Sequence, residues 1–144
     1  MINEKVILDT SAVVTYFEDE DGKDIVEELL SSSASGSSRL LLPFSAAIEF
    51  YYINFNNIGE EIANQRFALL MSLPLEVIKN IDEPYMIEAG RLKASYPISF
   101  ADSLIAAYAF REDAPLVHKD PEYIELKEEI KLITLPFKKN MEKK

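Results

Sequence analysis

Four acids stand in settings that suggest chemistry: Asp9, Glu49, Asp102 and Asp120. Asp9 follows the apolar run Val6-Ile7-Leu8 and precedes the hydroxyl pair Thr10-Ser11. Asp120 follows Leu116-Val117 and precedes Pro121. Asp102 closes Ser99-Phe100-Ala101-Asp102, and Glu49 interrupts a segment of small, apolar and aromatic residues from Ala46 to Ile53. Carboxylates held within a few ångströms of one another cannot all stay ionised without compensation, because like charges raise each other's pKa. A divalent cation is the usual compensation. With oxygen donors and no cysteine, the ions that fit are Mg²⁺ or Mn²⁺. Such ions activate water and neutralise charge on a phosphodiester during in-line attack, and paired ions sit about 3.5–4 Å apart. The reaction class is therefore metal-assisted phosphodiester hydrolysis.

Each acid also has a purely structural reading. Asp9, Thr10 or Ser11 can cap a following helix. Ser99 to Asp102 has the form of a capping box, with Asp102 bonding back to the cap. Asp120-Pro121 is a natural cap followed by proline at the first helical position. Glu49 can be a solvated face residue, but its apolar neighbours leave little room for a polar face. A carboxylate there is costly unless paired or bound to a cation.

The elements that would carry these acids alternate between strand and helix. Strands are expected at Lys5 to Leu8, Arg39 to Pro43, Leu75 to Ile78, Pro115 to Lys119 and Ile130 to Leu135. Helices are expected at Ser11 to Phe17, Lys23 to Leu30, Ser45 to Phe55, Glu60 to Met71, Asp82 to Ala94 and Phe100 to Phe110, with a brief one over Glu122 to Glu129. The serine-rich stretch Ser31 to Ser38 reads as a flexible loop. Alternation of this kind argues a parallel sheet covered on both faces. Asp9 and Asp120 then end two strands at the carboxyl edge, where open α/β sheets bind ligands. A helix that follows a parallel strand begins at the same edge. That brings Glu49 there, one turn into its helix, and Asp102 as well if its helix is oriented alike.

Size and charge narrow the possibilities. The 144 residues suggest one domain, residues 1–144, with a core that needs no staples. The absence of cysteine excludes disulfides and thiol chemistry and fits a reducing cytoplasm, and one histidine excludes a histidine-rich metal site. No apolar run reaches membrane-spanning length, and Met1 to Lys5 leads into too short a run for a secretory signal. A net charge of −10 argues against an extended grip on nucleic-acid phosphates. Contact with nucleic acid would have to be local and metal-assisted. The basic tail Lys138 to Lys144 reads as a solvated terminus, and Glu18 to Asp21 as an exposed turn rather than a calcium loop.

Four segments, in order, carry a family resemblance: Ile7 to Ala12, Ala47 to Glu49, Ser99 to Ala107, and Leu116 to Tyr123. On these the chain resembles PIN-domain ribonucleases, close to the toxin subunit of VapBC-type toxin–antitoxin systems. The resemblance implies a three-layer α/β/α fold with a central parallel sheet, and a Mg²⁺- or Mn²⁺-dependent endoribonuclease. It implies Asp9 and Asp102 as principal metal ligands, Glu49 completing the cluster and positioning metal or water, and Asp120 as the fourth acid. Thr10 or Ser11 would orient the first acid or a metal-bound water. RNA substrate, a cognate antitoxin and a homodimer follow by the same resemblance, whereas the cytoplasmic, non-membrane location is expected from the absence of cysteine and of long apolar runs. Tyr51, Tyr52 and Phe55 either line an antitoxin groove or dimer contact, or are ordinary core residues. His118 departs from the family, which usually has a small hydroxyl residue there. Other readings are a PIN-fold RNA-processing nuclease and a non-catalytic interaction module. A haloacid-dehalogenase-type phosphatase would need a second aspartate where Ser11 stands.

Overall fold

The computed structural model describes residues 4–137. The basic tail, and the first residues of the N-terminal segment, lie outside that range. The chain runs β1 (Glu4–Leu8), α1 (Thr10–Phe17), α2 (Lys23–Ala34), β2 (Ser38–Pro43), α3 (Phe44–Ile58), α4 (Glu60–Ser72), β3 (Glu76–Ile78), α5 (Glu83–Ser95), α6 (Phe100–Glu112), β4 (Leu116–His118), a 3₁₀ segment (Pro121–Leu126) and β5 (Leu132–Thr134). The five strands form one sheet in the order β3-β2-β1-β4-β5, and every pairing is parallel. Helices cover both faces, giving the three-layer α/β/α arrangement that the alternating pattern predicts.

Burial explains why the strands are so apolar. Ile7, Leu8, Leu40, Leu41, Leu42, Leu116 and Val117 are all buried. They are consecutive residues, so both faces of the sheet are shielded from water, as in other all-parallel sheets. Each such side chain contributes about 1.5–3 kcal/mol on leaving water. On α6, Ile105 to Ala109 are buried. The small side chains of Ala106, Ala107 and Ala109 among them let that helix lie close to β1 and β2.

β1 sits between β2 and β4, where the chain's winding reverses direction across the sheet. In doubly wound sheets this switch point opens a crevice at the carboxyl edge. Asp9 lies there. Its backbone N–H bonds Val117 O at 2.9 Å, which ties it to the strand that leads to Asp120.

Local differences from the sequence expectations have physical causes. Ser31 to Ala34 complete α2 instead of forming a loop, and Ser38 joins β2. Serine is only mildly unfavourable in a helix, and the last turn here closes through Ser35 N–H to Ser31 O at 3.1 Å. Gly36, at φ +86°, then turns the chain away. Ser45 does not cap α3. That helix begins at Phe44 after Pro43, and the buried Ser45 hydroxyl has no protein partner. The segment after Asp120 is 3₁₀ rather than α-helical. The last strand is confined to Leu132–Thr134 and the fourth to Leu116–His118.

Gly22 joins the α1–α2 turn to the core. Its φ of +101° is left-handed, and an added Cβ would stand 3.1 Å from Pro136 Cδ and 3.2 Å from Leu135 Cβ. Gly22→Ala is expected to lower stability by about 1–3 kcal/mol. Urea denaturation measures this, and an unchanged midpoint would contradict the assignment.

Candidate active site

All six residues singled out in the sequence line one cavity of about 390 Å³: Asp9, Thr10, Ser11, Glu49, Asp102 and Asp120. Lys119 and Glu20 also line it. Capping does not keep a carboxylate out of the cavity, because Asp9 and Asp120 each cap an element and line it. Asp9 is the N-cap of α1, its Oδ2 accepting from Ser11 N–H at 3.0 Å. Asp120 caps the 3₁₀ segment, accepting from Glu122 N–H at 3.0 Å. At α6 the cap is Ser99, whose Oγ accepts from Asp102 N–H at 3.1 Å. The Asp102 carboxylate faces Tyr123.

The hydroxyl pair after Asp9 divides its work. Ser11 Oγ donates to Asp9 Oδ2 and accepts from Lys119 N–H at 2.8 Å, so it links α1 to the end of β4. Thr10 Oγ1 donates to Glu49 Oε1 at 2.5 Å. This bond ties α1 to α3 and turns the Glu49 carboxylate toward Asp9. Glu49 is half-buried rather than walled in by apolar groups. Ile48 and Tyr52 are 56% and 48% exposed, and only Ala46, Ala47 and Phe50 face the core.

Four features of the site escaped the sequence reading. Tyr123 is fully buried, with its hydroxyl 2.8 Å from Asp9 Oδ1 and 3.0 Å from Asp102 Oδ1. Glu122 joins Asp102 and Asp120 in a trio whose carboxylate oxygens all lie within 4.8 Å of one another. Lys119 is buried, with Nζ 3.3 Å from Glu20 Oε1 and 2.7 Å from Asp21 O. Glu20 therefore turns inward from a turn whose other acids are exposed. The sequence offered one signal for the first two. Asp120-Pro121-Glu122-Tyr123 begins a tight turn, and residues two and three beyond a cap return toward it.

His118 is a structural residue of this site. Its Nδ1 accepts from Asp120 N–H at 3.1 Å, which leaves the ring proton on Nε2, 2.8 Å from Thr134 Oγ1. Burial holds its pKa below the ordinary value of 6.5, so the ring is neutral. Its ring packs edge-on against Tyr123, with centroids 5.2 Å apart.

Burial and crowding dominate the electrostatics. Desolvation raises the pKa of Asp9 above the ordinary 3.8, against the opposing hydrogen bonds of Ser11 and Tyr123. Asp102 is pushed up to about 8, first by desolvation and then by the Asp9 charge. Glu49 is raised by desolvation, with the Thr10 bond opposing. The Tyr123 phenol is held well above 10 by burial and by Asp9 and Asp102. It stays protonated but has one proton for two acids. The second contact needs a proton carried by a carboxyl, and Asp102 can hold it at neutral pH.

The donor set fits a hard cation. All candidate ligands are carboxylate oxygens, as Mg²⁺ and Mn²⁺ prefer. Two oxygens on opposite sides of an ion at about 2.1 Å lie about 4.2 Å apart. One carboxylate oxygen from each of Asp102, Asp120 and Glu122 lies within 4.8 Å of the others, close enough to share one ion. Asp9 and Glu49 line the same cavity without joining the trio.

The raised Asp102 pKa sets the sign of a pH effect. Between about 4 and about 8 the folded chain keeps a proton that the unfolded chain, at 3.8, has lost. This group's contribution to stability therefore falls as pH rises through that window. In EDTA, Asp102→Asn should gain melting temperature over wild type as pH goes from about 5 to about 8. A constant difference would show that the carboxyl is not perturbed.

Comparison with known proteins bears on the family and the fold. The PIN domain family matches residues 6–129. No curated protein matches the chain significantly in sequence. Among solved structures, VapBC2 from Rickettsia felis, bound to a promoter DNA fragment, is 20% identical with a TM-score of 0.74, covering 92% of this chain and 99% of its own. DNA-bound VapBC from Salmonella typhimurium is 19% identical with a TM-score of 0.71, covering 92% and 98%. VapC20 of Mycobacterium tuberculosis, a sarcin–ricin-loop-cleaving toxin, is 14% identical with a TM-score of 0.64, covering 83% and 93%. The chain belongs to the PIN-domain family, and its fold is that of the VapC-type toxins.

Proposed function

We propose that the protein is a Mg²⁺- or Mn²⁺-dependent endoribonuclease and the toxin half of a VapBC-type pair. The observation that carries this reading is the convergence of Asp9, Glu49, Asp102 and Asp120 on one cavity, with Glu122 closing the trio around Asp102 and Asp120. A purely structural set of caps has no reason to crowd five carboxylates. A non-catalytic module would keep that repulsion without use.

In this reading Asp102, Asp120 and Glu122 hold the ion, and Asp9 supplies a further carboxylate, fixed by Ser11 and Tyr123. Such an ion supplies charge neutralisation for a phosphodiester and a lowered pKa for water. Glu49, half-buried and oriented by Thr10, takes the proton of the attacking water. Its raised pKa brings it nearer the working pH, where a general base is most effective. The ion also reconciles a chain of net charge −10 with an anionic substrate.

The similar solved structures include a toxin–antitoxin complex and a sarcin–ricin-loop-cleaving toxin, which supports RNA as substrate and an antitoxin as partner. Exposed Ile48, Tyr52, Phe55 and Ile58 recur at helical spacing along α3, beside the cavity. A contiguous apolar stripe of this kind marks a protein contact, and we assign it to the antitoxin. No helix among the described residues is long and apolar enough to cross a membrane.

Incubation of cellular RNA with Mn²⁺, with Mg²⁺ and with EDTA tests the activity. Wild type should cut only with metal. Asp102→Asn should be slower by at least about 100-fold, since even outer partners of a metal site are worth about 10- to 100-fold. Equal cutting by wild type and Asp102→Asn would refute the assignment.

A further inference from the structure

Tyr123 occupies an unusual position for a tyrosine. It has no exposure to solvent, and its only polar atom meets the two most buried acids of the cavity, at 2.8 Å and 3.0 Å. Those acids come from opposite ends of the chain, 93 residues apart by their numbers. Asp9 Oδ2 is already engaged by Ser11, so Tyr123 fixes the remaining oxygen and leaves that carboxylate no free rotation. On Asp102 it takes Oδ1 alone.

The ring behind the hydroxyl is itself held. His118 packs against it edge-on at 5.2 Å and an interplanar angle of 71°. The same imidazole accepts from Asp120 N–H and meets Thr134 Oγ1. A single chain of contacts therefore runs from β5 through His118 to Tyr123, and sets Asp9, Asp102 and the backbone of Asp120 together. Asp9, Asp102 and Asp120 line the cavity, whereas Tyr123, His118 and Thr134 are not among its lining residues.

We propose that the Tyr123 hydroxyl is a positioning group for the metal centre, holding Asp9 and Asp102 at a fixed separation so that the carboxylates present a preformed cation site. The inference rests on the metal-dependent reading given above. Hydrogen-bond partners behind metal ligands fix ligand orientation, and their loss weakens metal affinity by about 10- to 100-fold. Tyr123 acts through the acids and does not touch substrate.

Tyr123→Phe separates positioning from packing, because the ring and its contact with His118 remain. The measurement is Mn²⁺ affinity by calorimetry and by electron paramagnetic resonance, beside melting temperature in EDTA. The expected result is Mn²⁺ binding weakened by about 10- to 100-fold with an unchanged circular dichroism spectrum. If the hydroxyl only satisfies buried acids, the melting temperature shifts and the Mn²⁺ affinity does not, which would overturn the proposal. Thr134→Val provides a second variant at an exposed strand position. It frees the His118 ring without touching an acid, and it should weaken Mn²⁺ binding in the same direction by less. If Tyr123→Phe fails to fold, an unaltered affinity in Thr134→Val overturns the proposal. Wild type that binds no Mn²⁺ would remove the metal reading itself, and the positioning role with it. Tight binding by wild type and Tyr123→Phe alike would remove only the latter.

Discussion

Repulsion among carboxylates that the fold forces together is the constraint on which this structure turns. Burial raises the pKa of Asp9, Glu49 and Asp102, and their mutual charges add to it. A folded chain tolerates such crowding only with donors, protons or a cation among the acids. The protein supplies the first two itself. Ser11, Thr10 and Tyr123 donate to the carboxylates, and Asp102 can carry a proton. The third remedy is the one that the shape of the Asp102–Asp120–Glu122 trio invites.

The parallel sheet is what makes the crowding possible. Every strand ends, and every helix that directly follows a strand begins, at the same edge. Asp9 and Asp120 are caps, Asp102 lies in the first turn of α6, and Glu49 in the second turn of α3. The positive end of a helix dipole favours an anion by about 0.3–1 kcal/mol within the first turn, so Asp9 and Asp102 are locally welcome where collectively the acids repel. The central place of β1, between β2 and β4, then draws the contributions of distant segments onto one cavity.

Much of this was legible in the sequence because it depends on local rules. Apolar runs ended by an acid gave the strands and their carboxyl edge, and Asp9, Glu49, Asp102 and Asp120 do share a cavity. What was not legible depends on side-chain direction. The tight 3₁₀ course after Asp120 brings Glu122 to the acids and Tyr123 beneath them, whereas an α-helix would have aimed them elsewhere. Lys119 and Glu20 find each other across 99 residues, which no local pattern announces. Tyr52 and Phe55 are exposed and not core, a distinction that helical periodicity alone could not make on a helix apolar nearly all round. The Ser31 to Ala34 helical turn shows the weakness of composition as a guide, since serine permits a helix that its neighbours have already started.

The most direct test of the central claim is a crystal structure grown with Mn²⁺, with the ion located by its anomalous scattering. The account predicts a peak among the carboxylates of Asp102, Asp120 and Glu122, on the side of the cavity that faces Asp9. A peak elsewhere on the protein, with Asp9 and Asp102 still bridged by Tyr123 and no ion among Asp102, Asp120 and Glu122, would contradict it.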